Sequence, residues 1–180
     1  LPVVAVFGIW VAGLALSFVA WTQPHGKPIN VSLLQGNIPQ ELKWAWELRQ
    51  PTLDLYSGLT RDNWDADLIV WPETALPDFY HREEGFLDEL EAEARRHGSS
   101  LLVGVLYQEP DTKRYFNSMV SLGEGREFYH KDHLVPFTEF LPMKSALGGI
   151  VDFMDVPMSD FRAGGAEQAQ LREAGPRVGR

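Results

Sequence analysis

Asp67-Leu68-Ile69-Val70-Trp71-Pro72-Glu73-Thr74-Ala75-Leu76-Pro77 is the stretch on which the fold turns. Asp67 to Trp71 reads as a short apolar strand, and Pro72, which has no N–H to give a ladder, ends it. Upstream, Asn30 to Gln35 reads as a buried strand that stops at Gly36-Asn37. Gln40 to about Arg61 then reads as a helix with Leu48, Leu55 and Leu59 among its apolar positions, and Pro51 should break or kink it. Downstream, Glu83 to His97 is amphipathic, with Phe86, Leu87, Leu90 and Ala94 on one face and Gly98 as a stop. Leu101 to Tyr107 is the next strand. Asn117 to Leu122 and Arg126 to His130 form a hairpin about Gly123-Glu124-Gly125. Strand, helix, strand, helix, strand and then a hairpin is the order of a layered α/β domain.

Composition bounds the function. The chain has 180 residues, 44% hydrophobic and 23% charged, with a net charge of −9. That size suits one domain, and that charge argues against a nucleic-acid partner, which needs clustered Lys and Arg. The absence of cysteine excludes disulfides and thiolate metal sites but leaves the compartment open. The chain begins without Met inside an apolar run, as expected for a piece of a longer protein.

Leu1 to Trp21 carry no charge, and Ser17 is their one strongly polar side chain. A helix of that length would be about 31 Å long, the thickness of a bilayer core, so residues 1–22 are expected to form a transmembrane helix. A signal peptide would have a shorter apolar stretch after basic residues. Trp21 falls where an interfacial aromatic belt would lie. Gly8/Ala12 and Gly13/Ser17 suit close helix packing, or are simply common in such helices. Residues 23–29 read as a polar linker and residues 30–180 as the domain.

Glu73 lies at the carboxyl end of a strand, where open α/β sheets place ligands. Flanked by Trp71, Pro72 and Leu76, its carboxylate is expected to be partly desolvated, which makes a better base near neutral pH. The plainer reading is a loop acid bonded to nearby backbone. Lys131 follows the hairpin, and Val135-Pro136-Phe137 and Phe140-Leu141-Pro142 bracket Glu139 with apolar groups. An ammonium in such a wall can stabilise an oxyanion and lower the pKa of a nearby thiol. His130 and His133, with no Cys and no helical HxxxH spacing, do not make a metal site. Trp44 and Trp46, beside Lys43, suit a greasy pocket. The apolar stretch from Leu147 to Met158 reads equally as core, as a lid, or as a surface that dips into lipid. Ala163 to Arg180 is polar and Gly-rich.

The motifs WPETALP (71–77), YHKDHLVPFTEFLP (129–142) and VPMSDFRAGG (156–165) resemble the nitrilase-type domain of the bacterial apolipoprotein N-acyltransferases. QGNIPQELKW (35–44) resembles the segment after that family's first strand. The resemblance implies part of an α-β-β-α sandwich preceded by one membrane span. It implies a Glu-Lys-Cys catalytic set in which Glu73 and Lys131 are the first two members, with Glu139 and Trp44 as supporting, substrate-pocket residues. Thr138 stands where the family commonly has Gly. The nucleophilic Cys of the family follows a segment like Gly175–Arg180, so the chain is expected to stop short of it and to be inactive alone.

The activity so implied is ping-pong acyl transfer, with no cofactor. The donor is a membrane phospholipid and the acceptor the N-terminal amine of a diacylglyceryl-cysteine apolipoprotein. The site is the bacterial inner membrane, with the domain facing the periplasm. Two alternatives stand beside it: a carbon–nitrogen hydrolase (amidase or nitrilase) using the same residue types, and a membrane-anchored binding domain without catalysis.

Overall fold

The computed structural model describes residues 2–23, 26–39, 42–123, 125–136, 139–140, 161–165, 167–168 and 171. The chain opens with helix α1 (Pro2–Ser17), followed by strand β1 (Val31–Leu33) and, after a 3-10 turn at Trp46–Leu48, helix α2 (Arg49–Arg61). Then come β2 (Leu68–Val70), α3 (Glu84–His97), β3 (Ser100–Gln108), β4 (Tyr115–Leu122) and β5 (Phe128–His130). The strands form one mixed α/β sheet in the order β1-β2-β3-β4-β5. β1, β2 and β3 run parallel, as they must when a helix carries the chain back between them. β3, β4 and β5 are antiparallel, and the expected hairpin is β4–β5.

Helix α2 starts later than the sequence suggests. It begins at Arg49 rather than near Gln40, and Pro51 lies in its first turn instead of kinking it. The reason is local: the proline ring would collide with the Glu47 carbonyl were the helix extended upstream, whereas in the first turn its missing N–H has no partner to lose. Arg49 then ties this start to the start of α3 through two bonds to the fully buried Glu83 carboxylate, at 2.7 and 2.6 Å. Helix α3 ends at Gly98, whose φ of 76° is the left-handed conformation that glycine adopts without penalty.

The core lies between the sheet and helices α2 and α3. Ile69, Trp71, Leu87, Leu101, Val103 and Val105 are fully buried there, and an aliphatic side chain so placed is worth about 1.5–3 kcal/mol. Trp71 stacks on Tyr56 at 4.8 Å, and its indole N–H donates to Thr60 Oγ1 at 2.9 Å. That bond removes the cost of burying an indole donor.

Helix α1 differs from the expected span. It covers 16 residues rather than 22, which is about 24 Å at the helical rise. No helix among the described residues is long and apolar enough to cross a membrane. The helix stops where side chains take over its last carbonyls: Ser17 Oγ donates to Leu14 O at 2.7 Å, and Trp21 Nε1 to Leu16 O at 3.1 Å. Every residue of α1 is exposed, among them Phe7, Ile9 and Trp10. The Leu147–Met158 stretch and most of the Gly-rich tail lie outside the described residues.

Candidate active site

Glu73 sits on the turn that leaves β2. Trp71 N donates to Leu102 O at 2.8 Å and Ala75 N to Gly104 O at 2.9 Å, so this turn lies flat on β3. Gly104 is what allows it: a Cβ at that position would stand 2.2 Å from Pro72 O and 2.6 Å from Thr74 N. A glycine inside a strand marks such a close backbone approach. Thr74, at φ 51°, completes the turn.

Sheet register brings the other groups to the same place. Gly104 is paired with Met119, and Leu106 with Asn117. Positions two apart on a strand share a face, so Asn117 and Gly104 face the same side, that of the Glu73 turn. His130 is paired with Ser118, and the next residue, Lys131, donates its N–H to Asn117 O at 2.8 Å. Lys131 therefore joins Asn117 on that face. Gly164 N donates to Lys131 O at 3.0 Å, and the Gln168 amide brackets His130, accepting from its N–H at 2.8 Å and donating to its carbonyl at 2.7 Å. Both contacts fix the backbone on either side of Lys131.

The result is a four-residue cluster. Lys131 Nζ is 3.0 Å from Glu73 Oε1 and 3.0 Å from the Glu139 carboxylate. Asn117 Nδ2 donates to Glu139 Oε1 at 2.9 Å and also to Glu73 Oε1. Val135 N donates to Glu139 Oε2 at 2.8 Å, which leaves Glu139 held on both oxygens. Burial alone would pull the Lys131 ammonium down, but its bonds to Glu139 and Glu73 outweigh that and hold it above the ordinary lysine value. Burial likewise pushes Glu139 up, and the Val135 N–H, the Asn117 amide and Lys131 together bring it below the ordinary carboxylate value. Both are charged near neutral pH, so Lys131 acts as a fixed cation rather than a base.

Two expectations need correction. Glu73 is not desolvated: its side chain is 61% exposed, although Trp71 two residues before it is fully buried. The indole turns into the core while the turn on Gly104 lifts the carboxylate out. Nor do the two tryptophans close a greasy pocket among the described residues. Trp44 is 41% and Trp46 74% exposed, and the Arg49 guanidinium lies 5.6 Å over the Trp46 ring. It is Lys43 that reaches inward, donating to Glu73 O at 3.1 Å. Lys43 lines a cavity of about 440 Å³ next to Glu73, with Gln35, Asn37 and Tyr56 among its walls.

Asn117 and Gly104 were the residues that sequence reasoning passed over. Each carried a signal. Asn is disfavoured inside strands and a buried one needs partners, and a mid-strand Gly marks a close approach.

Comparison with known proteins gives the family. The apolipoprotein N-acyltransferase of Methylococcus capsulatus is 50% identical over 158 residues, which is 87% of this chain and 31% of that protein. The one from Pseudomonas syringae is 43% identical over 92% of this chain and 33% of its own length. The one from Vibrio cholerae is 39% identical over 91% of this chain and 34% of its own length. The chain thus spans about a third of the length of the curated relatives it matches. The carbon–nitrogen hydrolase family model matches residues 30–167, the stretch that holds the whole sheet, Glu73, Asn117, Lys131 and Glu139, and the chain belongs to that family.

Proposed function

We propose that this chain is part of an N-acyltransferase that moves a fatty acyl group from a membrane phospholipid to the N-terminal amine of a diacylglyceryl-cysteine apolipoprotein. The observation that carries the reading is the Lys131 ammonium 3.0 Å from both an exposed and a buried carboxylate. It gives a base open to substrate beside a cation that a second, fixed acid keeps in place. The similarity to apolipoprotein N-acyltransferases supports the same reading.

In this reading Glu73 takes the proton of a cysteine thiol, whose ordinary pKa is about 8.5. No cysteine is present in the 180 residues, so the thiol is assigned to sequence beyond them. The thiolate adds to the ester carbonyl, and Lys131 stabilises the oxyanion. The C–O bond breaks, the glycerol oxygen leaves with the proton from Glu73, and a thioester remains. The acceptor amine then adds to the thioester, Glu73 takes its proton, and the thiolate leaves. Glu139 keeps Lys131 aimed throughout, and Trp44, exposed next to Lys43, offers a face to the acyl chain. No cofactor enters. Residues 1–22 would form or begin a membrane span, 23–29 a linker, and 30–180 part of an α-β-β-α sandwich facing the periplasm from the bacterial inner membrane. The support is an uncharged helix with every residue exposed, which lipid would solvate and water would not.

The family match also favours a second reading, carbon–nitrogen bond hydrolysis. The test is the full-length protein with a phospholipid donor and a lipopeptide acceptor, followed by mass spectrometry. Acyl transfer predicts a thioester adduct that is lost to the amine. Glu73→Ala or Lys131→Ala should abolish the adduct. An adduct retained in either variant removes that residue from the mechanism, and release of free acid with no N-acyl product favours hydrolysis. The 180-residue chain alone should form no adduct.

A further inference from the structure

The acyl-transfer chemistry assigns no role to the cavity beside Glu73. It opens where the chain leaves β1, at Gln35-Gly36-Asn37, and where it leaves β2, at Pro72-Glu73. Crevices outside the carboxyl ends of neighbouring parallel strands are where such sheets bind ligands. Its backbone wall is tight, since a Cβ on Gly36 would meet the Tyr56 hydroxyl at 2.9 Å. The one cation among its described lining residues is the half-buried Lys43, which makes a single hydrogen bond among the described residues, to Glu73 O at 3.1 Å. Two of its three N–H donors have no partner among the described residues. Among the described residues, Glu73 meets Lys43 with its backbone carbonyl, while its Oε1 accepts from Lys131 and Asn117. Burial pulls the Lys43 ammonium below the ordinary lysine value, an effect that Glu73 offsets only in part. Gln35 Nε2 donates to Asn37 Oδ1 at 2.8 Å, which leaves the Asn37 amide N–H pair as a further donor.

We propose that this crevice binds a phosphate group through Lys43, and that the group is the phosphodiester of the acyl donor. The source rests on the acyl-transfer reading above. In a glycerophospholipid the phosphate is one glycerol away from the ester. Lys43 is bonded to the backbone of the residue whose carboxylate contacts Lys131, so an ester placed at Lys131 puts its phosphate within reach of Lys43. A cation paired to a desolvated phosphate makes a charge-assisted bond, the stronger kind.

The experiment uses the full-length protein with Lys43→Ala and Lys43→Arg. Acyl-enzyme formation is followed against the concentration of a phospholipid donor and of an uncharged diacylglycerol donor. Loss of one charge-assisted bond predicts that Lys43→Ala raises KM for the phospholipid about ten-fold, with a much smaller effect on diacylglycerol, and that Arg restores most of the loss. Calorimetric titration with glycerol 3-phosphate reads the subsite without turnover, and Lys43→Ala should lose the heat seen in the wild type. An equal fall in kcat on both donors would make Lys43 a brace for the Glu73 turn and overturn the proposal, as would unchanged KM together with unchanged glycerol 3-phosphate binding. Weakened glycerol 3-phosphate binding in Lys43→Ala with phospholipid KM unchanged would leave a phosphate site but overturn its assignment to the acyl donor. A wild type that binds glycerol 3-phosphate yet forms no acyl-enzyme would overturn the acyl-transfer reading and leave the phosphate site standing.

Discussion

Two carboxylates share one lysine, and the segments that present them are built in opposite ways. The Glu73 turn is carried on the sheet by backbone bonds to β3, and its side chain is 61% exposed. Glu139 is 9% exposed, with Lys131, Asn117 and the Val135 N–H all donating to it. In the proposed mechanism the contrast separates two jobs. A group that must move a proton to and from substrate needs access. A group that must keep a cation aimed needs fixed donors and no solvent. Identical chemistry in the side chain is divided by the segment that carries it.

The largest effect that would break this division is Glu73→Gln. In the full-length protein, removing the proposed general base should cost on the order of 10²–10⁴ in acyl-enzyme formation, with little change in thermal unfolding, because an exposed ion pair adds about 0–1 kcal/mol. A large loss of stability would show that Glu73 is structural. Glu139→Ala should do the reverse first. It strips a part-buried ammonium of its fixed partner, at a cost of about 3 kcal/mol in denaturant unfolding, and activity falls as a consequence. Unchanged stability would show that the buried carboxylate holds nothing.

Gly104→Ala tests the support under Glu73 instead of its charge. The new methyl meets backbone that cannot yield, so about 1–3 kcal/mol of stability should be lost along with the position of the turn. Asn117→Ala removes one neutral donor from both carboxylates and should cost about 1–2 kcal/mol. It should also raise the pH at which the acid limb of stability begins, since the Asn117 amide helps to hold Glu139 below its ordinary value.

The sign of that pH dependence follows from the direction of the shifts. Glu139 is depressed in the fold, so its contribution is complete above the unfolded carboxylate value and is lost as pH falls through the lower, folded one. Lys131 is raised, so its contribution is complete below the unfolded lysine value and is lost as pH rises through the folded one. The cluster should be most stable across the neutral range, with unfolding on the acid side following Glu139. An acid limb unaltered in Asn117→Ala would disconnect the amide from Glu139.

Much of the fold was legible because its signals are local. Apolar runs such as Leu68-Ile69-Val70, the amphipathic period of Glu84–His97 and the stop at Gly98 report on a strand, a helix and its end with no knowledge of neighbours. Helix α2 was misplaced at its start because Pro51 is compatible with either a kink or a first turn; the chain takes the first turn, and the Arg49–Glu83 ion pair ties that start to α3. Helix α1 is shorter than the expected span, because apolar composition does not show where the Trp21 indole folds back on the Leu16 carbonyl.

By itself the sequence determined the α/β order, the place of Glu73 at the end of β2 and of Lys131 after β5, since these depend on periodicity and on prolines that act within a few residues. The tertiary structure alone decided that Asn117 reaches both carboxylates, that Glu139 is the buried one and Glu73 the open one, and that Lys43 rather than Trp44 lines the cavity. Those outcomes depend on register between strands far apart in the chain, and a shift of one residue would turn Asn117 to the other face of the sheet.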